Sequence, residues 1–223
     1  MTRDTRDAEA RDAARFAAAV DAAVDRSAAV WLRPYDPDRE GDPAALWACK
    51  RAFERELGGV DGDQGGRDDG DDGDDRDDTT GGVEKADAYD AKLTATYRKR
   101  YLAWVERCVA DEPVVWLVLS GAAEGANEGA ERAEETLGYA FLLPERLAMV
   151  WDGAVLNELY VRPLVRGSGV ADALLGAVVE RAREQSLPMD RLLLDVDPSN
   201  ERARAFYRRH DFRPWGETVA RDL

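Results

Sequence analysis

The residues that build many catalytic and metal sites are scarce in this sequence. Its 223 residues include one histidine, His210, and two cysteines, Cys49 and Cys108. The cysteines fall at apolar positions of predicted helices and have no metal-ligand spacing, so we expect two buried free thiols and neither a disulfide nor a metal site. His210 adjoins no motif that would complete a Ser/His or Cys/His pair, so we expect it to be packed or to cap a helix rather than to act in catalysis.

Lysine is also scarce, although charge is abundant. The chain has 46 Asp and Glu against 31 Lys and Arg, which gives a formal net charge of −15, and only four of the cations are lysine. Acid-rich, lysine-poor surfaces stay hydrated in concentrated salt, so we expect a salt-adapted, halophilic protein; an ordinary acidic protein with one acidic linker is the alternative. Charge of this sign repels phosphate, which argues against nucleic acid as a partner and is compatible with a cationic acceptor.

Long apolar runs are missing too. No run approaches the roughly 18 residues that a membrane-spanning helix needs. The first residues are charged and rich in alanine, without the apolar segment of a secretory signal. We therefore expect a cytoplasmic protein that has no membrane partner.

Two segments carry little information about function. Residues 4–27 are rich in alanine and predict a helix, which we assign to an N-terminal extension, residues 1–27. Residues 58–82 are almost wholly Asp and Gly, so they cannot bury apolar surface and their like charges repel; we expect a disordered insertion. The acids and glycines of this insertion match no register of a calcium-binding loop.

The most informative stretch is a predicted strand, turn and helix. The apolar run 154–161 is followed by Arg166-Gly167-Ser168-Gly169-Val170-Ala171, and apolar residues then recur at helical spacing to Ala182. Backbone N–H groups at the start of a helix have no partner within it, and the helix dipole favours negative charge there. The stretch therefore predicts a phosphate-binding turn, although its glycines fit neither G-x-x-x-x-G-K-[ST] nor G-x-G-x-x-G.

The residues that follow turn this pattern into a family resemblance. A strand at 192–196 precedes Asn200, and Ala203, Phe206, Tyr207 and Phe212 follow at regular spacings. Together with R-x-x-G-x-A at 166–171, this order resembles the C-terminal half of the GCN5-related N-acetyltransferase (GNAT) superfamily.

The resemblance implies an α/β (α+β) fold with a mixed, mostly antiparallel central sheet and helices on both faces. We expect it to span 28–223, with the acidic insertion within it. Predicted strands lie at 28–32, 114–119, 137–143, 155–161 and 192–196, and predicted helices at 43–57, 85–108 and 171–182 and after Asn200. Asp152-Gly153 resembles a hairpin turn.

Few residues follow Phe212, where the fold usually has two more strands; 212–215 and 217–220 could supply short ones. Asp211 replaces the glycine that usually precedes this phenylalanine.

The resemblance also assigns a co-substrate and the residues that would bind it. Acetyl-coenzyme A (acetyl-CoA) would place its pyrophosphate against the turn and its pantetheine arm along the 154–161 strand. The expected binding residues are Leu159, Tyr160, Val161, Arg166, Gly167, Ser168, Gly169, Val170, Ala171 and Asn200. Asn200 could equally be a helix N-cap.

Two residues are candidates for acid–base catalysis. Tyr207 matches the family tyrosine near the coenzyme sulfur, where a protonated phenol could act as general acid; a core tyrosine is the alternative. Glu158 lies on the strand that would meet the coenzyme and is the candidate base, acting directly or through water; a polar residue at the rim is the alternative. We assign Glu158 to the same strand face as Leu156 and Tyr160, from the two-residue period of a strand.

The expected function is N-acetyl transfer from acetyl-CoA to a primary amine by direct attack, without a covalent enzyme intermediate. The amine could belong to a small molecule or a peptide, and the protein could be a monomer or a homodimer. A non-catalytic acyl-CoA-binding sensor is the alternative function, and an interaction scaffold is a third hypothesis. Because fold does not fix substrate, the sequence leaves the acceptor open.

Overall fold

The computed structural model describes residues 29–57, 91–121 and 134–216. The predicted N-terminal helix at 4–27, the acidic insertion at 58–82 and the possible strand at 217–220 lie outside these residues. The chain divides into two compact units, Met1–Leu193 and Leu194–Leu223. No helix among the described residues is long and apolar enough to span a membrane.

Within the described ranges, five strands form one sheet in the order β1-β2-β3-β4-β5. The strands are β1 (Ala29–Pro34), β2 (Val115–Gly121), β3 (Glu135–Leu142), β4 (Ala154–Val161) and β5 (Leu192–Leu193). The first three pairings are antiparallel, and β4 pairs with β5 in parallel. The mixed, mostly antiparallel sheet predicted from the sequence is confirmed.

Five helices lie wholly within the described residues. They are α1 (Asp42–Leu57), α2 (Ala95–Val109), α3 (Ala148–Trp151), α4 (Val170–Glu184) and α5 (Glu201–Arg209). Short 3-10 turns occupy Glu145–Leu147 and Pro163–Val165. Both cysteines are buried, Cys49 in α1 and Cys108 in α2, as their apolar positions predicted.

Helices cover both faces of β3 and β4. Side chains alternate along a strand, so Tyr139 and Phe141 of β3 share one face. On that face the Tyr139 ring meets Phe53 of α1, and the Phe141 ring meets Trp104 of α2 at 4.8 Å between centroids. Helix α4 also packs on β3 and β4. Because β3 is buried at every position after Glu135, we assign α4 to the opposite face.

A β-bulge in β4 decides which face Glu158 occupies. Phe141 lies opposite Glu158, but its neighbour Leu142 lies opposite Leu156, so Asn157 is an extra residue in β4. Since Phe141 and Leu142 point to opposite faces, Leu156 and Glu158 do too. The prediction that Leu156 shares a face with Glu158 is therefore wrong, whereas Tyr160, which lies opposite Tyr139, does share it.

Several predicted boundaries are also corrected. The helix predicted at 85–108 is interrupted before α2, because the Thr94 side chain accepts a hydrogen bond from the Tyr97 N–H at 3.1 Å and caps a new helix. Asp152 adopts a left-handed conformation (φ 52°) that ends α3, so Asp152-Gly153 does not form a two-residue hairpin. The strand predicted at 192–196 pairs only at Leu192–Leu193, and 212–215 is not a strand.

Candidate active site

The edge of β4 that faces β5 is only partly paired. The parallel ladder joins Ala154 to Leu192 and Val155 to Leu193 and extends no further. On the other edge, the Arg162 N–H donates to Leu137 O of β3 at 2.8 Å. Backbone groups alternate between the two edges of a strand, so those of Leu159 and Val161 face away from β3. Within the described parts of the chain, no strand pairs with them there.

The glycine turn leads directly from this edge into α4. Gly167 and Gly169 have φ values of 80° and 85°, which an L-residue adopts only with strain. The first backbone hydrogen bond of α4 runs from the Ala173 N–H to Gly169 O at 3.0 Å. The N–H groups of Val170 and Ala171 therefore belong to the first helical turn, where the dipole favours an anion.

Arg166 is fixed by contacts on both sides of the turn. Its Nε donates to Val161 O at 3.0 Å, and its Nη2 donates to Glu56 of α1 at 2.5 Å. The guanidinium also lies over the Tyr160 ring, 5.9 Å from its centroid. The side chain thus ties the end of β4 to α1, a role that its position beside the glycines did not predict.

Glu158 lies at the centre of a buried hydrogen-bonded cluster. Its Oε1 accepts from Lys50 Nζ of α1 at 2.5 Å. Its Oε2 accepts from the hydroxyls of Tyr101 of α2 at 2.7 Å and Tyr139 of β3 at 2.8 Å. The residue is only 5% exposed, so the rim position considered from the sequence does not describe it.

A second carboxylate extends the cluster outwards. Glu54, 1% exposed, lies one turn after Lys50 in α1, and its Oε1 is 2.5 Å from Lys50 Nζ. Its Oε2 is 2.6 Å from Nζ of Lys92, which is partly exposed. Charges therefore alternate from Lys92 through Glu54 and Lys50 to Glu158. We call these four residues, with Tyr101 and Tyr139, the Glu158 cluster.

Burial and the carboxylates set the protonation of Lys50, Tyr101 and Tyr139. Burial, with Glu158 nearby, raises the pKa values of Tyr101 and Tyr139 well above that of a free phenol, so both hydroxyls keep their protons. Burial lowers the pKa of Lys50, but Glu158 and Glu54 outweigh that effect and the net pKa is raised. Lys50 is therefore an ammonium that donates to both carboxylates.

The sequence motifs indicated Glu158 but not its partners. A signal was present: Lys50 and Glu54 lie on the same side of α1 as the apolar residues Leu46 and Phe53, where a charged residue is unexpected. Lys50 is also one of only four lysines in a chain whose cations are mostly arginine. A charged i, i+4 pair at the margin of an apolar helix face indicates burial with partners.

The remaining predicted residues belong to the unit that begins at Leu194. Asn200 is the N-cap of α5, with its Oδ1 accepting from the Ala203 N–H at 2.9 Å. Tyr207 is half-buried between the rings of Phe206 and Phe212, and burial raises its pKa to about 12. Asp211 has φ 63°, the left-handed conformation expected where a glycine usually stands.

His210 ends α5, and its ring packs on Phe206 at 4.8 Å between centroids. This agrees with the packed or capping role predicted for the single histidine. Across 29–57, 91–121 and 134–216, no three His, Cys, Asp or Glu side chains are grouped to hold a metal ion.

Solved structures with a similar fold include acetyltransferases. A PaiA N-acetyltransferase from Thermoplasma acidophilum, in complex with coenzyme A, is 12% identical, with 81% of this chain and 87% of that chain covered and a TM-score of 0.50. A GCN5-related N-acetyltransferase from Ralstonia eutropha is 18% identical, with 86% and 98% covered and a TM-score of 0.49. A transcriptional regulator from Bacillus halodurans is 17% identical, with 87% and 99% covered and a TM-score of 0.47. At these identities the likeness concerns the fold alone.

The sequence itself identifies the family. No curated protein matches the chain significantly. Residues 87–212, more than half of the chain, match the model of the acetyltransferase (GNAT) family. The match includes β4, the glycine turn, α4 and the helix that carries Tyr207. The chain therefore belongs to the GNAT family of acetyltransferases.

Proposed function

We propose that this protein transfers an acetyl group from acetyl-CoA to a primary amine. The observation that carries the proposal is a buried carboxylate, Glu158, on the strand that leads into the glycine turn. A carboxylate with hydrogen-bond donors on both oxygens is held in one orientation, as a proton acceptor must be. The acceptor amine is the source of the proton, which Glu158 takes directly or through a water molecule.

The residues that are present fit a coenzyme A molecule. Left-handed glycines allow close approach to the backbone, and the start of α4 directs N–H groups at an anion. The backbone of 167–171 would hold the pyrophosphate, with Arg166 keeping the turn against β4. The edge of β4 at 159–161 has N–H and C=O groups that suit the amides of a pantetheine arm, and Asn200 is the further candidate contact. When bound, acetyl-CoA supplies an activated thioester.

Two further observations favour direct transfer. Burial raises the pKa of Cys49 to about 11 and also raises that of Cys108, so neither thiol forms the thiolate that a covalent acyl carrier requires. Tyr207, whose pKa is about 12, is a phenol with its proton in place. It is our candidate general acid for the departing thiolate.

A thiol-release assay over a panel of small amines and N-terminal peptides tests this function. Wild-type protein should release coenzyme A only when an accepting amine is present. Tyr207→Phe should lower kcat, with the affinity for acetyl-CoA retained in calorimetric titration. Binding of acetyl-CoA without turnover of any amine would favour the acyl-CoA sensor, and absence of binding by the folded protein would refute both.

A further inference from the structure

Two buried carboxylates in this protein share a single ammonium group. Lys50 Nζ is 2.5 Å from Glu54 Oε1 and 2.5 Å from Glu158 Oε1. The two oxygens are therefore at most about 5 Å apart, a range at which neighbouring charges strongly change each other's protonation. All three side chains are nearly inaccessible to solvent.

Such a pair of carboxylates repels strongly unless a cation lies between them. Like charges at this separation repel, and in a poorly solvated site one carboxylate takes up a proton. The groups that face the pair are Lys50 from α1, Lys92 ahead of α2, Tyr97 and Tyr101 from α2, and Tyr139 from β3. Lys50 is the one cation among them that contacts both carboxylates.

We propose that Lys50 is a positioning residue that offsets the repulsion between Glu54 and the candidate base, Glu158. It does so by placing one positive charge between Glu54 and Glu158. This inference rests on the function proposed for Glu158, and it adds a residue that the glycine turn and the family match do not assign.

The surroundings of Lys50 hold its ammonium group in place. The Phe53 and Tyr101 rings lie 5.3 Å and 5.1 Å from Nζ, at distances typical of cation–π contacts. A compact ammonium with three donors can serve two carboxylates and two ring faces at once. The raised pKa of Lys50 means that this charge persists throughout the neutral range.

The pH profile of kcat/KM tests the role of Lys50. In Lys50→Met the acidic limb should move to higher pH by about 1 to 3 units, because Glu158 then competes with Glu54 for a shared proton. Lys50→Arg retains the charge, and its limb should stay near that of wild type. The decisive variant is the double substitution Lys50→Met with Glu54→Gln, which removes both the cation and the competing carboxylate. Its limb should return towards the wild-type position.

A second readout needs neither acetyl-CoA nor turnover. Thermal unfolding is followed from pH 5 to 9 for the same variants. A shared proton in folded Lys50→Met stabilises the protein as pH falls, so its deficit in Tm relative to wild type should shrink towards pH 5. The double variant should show a deficit that depends much less on pH.

Defined results overturn the proposal. Loss of activity in folded Lys50→Met with an unmoved acidic limb and a pH-independent Tm deficit would show a structural role only. If Lys50→Met does not fold, the single variant Glu54→Gln provides the test. Lys50 then pairs with Glu158 alone, so the acidic limb of the kcat/KM profile should move to lower pH. An acidic limb at the wild-type position would overturn the proposal. Full activity in Glu158→Gln would instead refute the role of Glu158 as general base. The pH dependence of Tm would still test whether Lys50 offsets the repulsion between the two carboxylates.

Discussion

The two faces of the central sheet bury different chemistry. Helix α4 covers one face, and all its buried residues are apolar: Val170, Leu174, Leu175, Val178 and Ala182. Helix α1 covers the other face and buries Lys50 and Glu54 next to Leu46 and Cys49. Both helices have an apolar side facing the same two strands, yet of the two only α1 buries charged side chains.

This difference suggests that the α4 face mainly stabilises the fold, whereas the α1 face serves the proposed chemistry. Each buried Leu or Val on the α4 face stabilises the fold by about 1.5–3 kcal/mol relative to an exposed one. On the α1 face, desolvation costs several kcal/mol per ion and the pairing of charges offsets it, so a buried ion pair contributes little net stability. The Glu158 cluster is therefore not explained by stability, which is why we place the proton-transfer chemistry there.

The largest expected effect is on the chemistry of the charged face. Glu158→Gln keeps the shape of the side chain but removes the proton acceptor, so kcat should fall by about 10²–10⁴-fold. Acetyl-CoA affinity, measured by calorimetry, should be unchanged. Glu180→Gln, at an exposed position of α4, is the matched control and should retain full activity. An unchanged kcat in Glu158→Gln would remove the functional contrast between the two faces.

The opposite pattern is expected on the α4 face. Leu174→Ala leaves a cavity at a position that is 0% exposed, and should destabilise the protein by about 2–5 kcal/mol in urea unfolding. Turnover per folded molecule should stay near wild type, because Leu174 belongs to the helix that we assign to the opposite face of the sheet from the Glu158 cluster. A large loss of kcat with little loss of stability would contradict the division between the faces.

Alanine substitutions at two glycines, one in the turn and one in α4, should have smaller effects on stability and in opposite directions. Gly167 has φ 80°, and an added Cβ would meet no atom within 4 Å, so Gly167→Ala introduces conformational strain without a clash. It should cost about 1–2 kcal/mol and weaken acetyl-CoA binding. Gly176, within α4 and equally open, is the control: Gly176→Ala should stabilise the helix by about 0.5–1 kcal/mol without changing affinity. Equal effects at both glycines would argue against a special backbone role for the turn.

The smallest effect concerns alkaline stability. The raised pKa values of Lys50, Tyr101 and Tyr139 mean that the folded protein keeps protons that the unfolded chain releases above about pH 10. Their contribution is present below the unfolded pKa values and is lost as pH rises, so Tm should fall through this range. Tyr139→Phe should make the fall less steep. A Tm independent of pH between 9 and 11 would contradict the protonation assigned to the cluster.

Much of the fold could be predicted because its signals are local. The spacing of apolar residues after Gly169 predicted α4, and the run 154–161 before the glycines predicted β4. Asp211, which replaces a glycine of the family pattern, adopts the left-handed conformation that glycine favours. The break at Thr94 was missed because the aromatic spacing continues across it, although a threonine cap is also a local signal.

The sequence by itself determined the order of the elements, the family and the positions of Glu158 and the glycines, since short-range periodicity and motif spacing encode these features. Only the tertiary structure decided where Glu158 points and what it contacts. One extra residue at Asn157 reverses the strand period, so Glu158 faces α1 while Leu156 faces away. Lys50 then meets Glu158 from 108 residues away in the chain, a contact that register and helix packing create and that no local pattern contains.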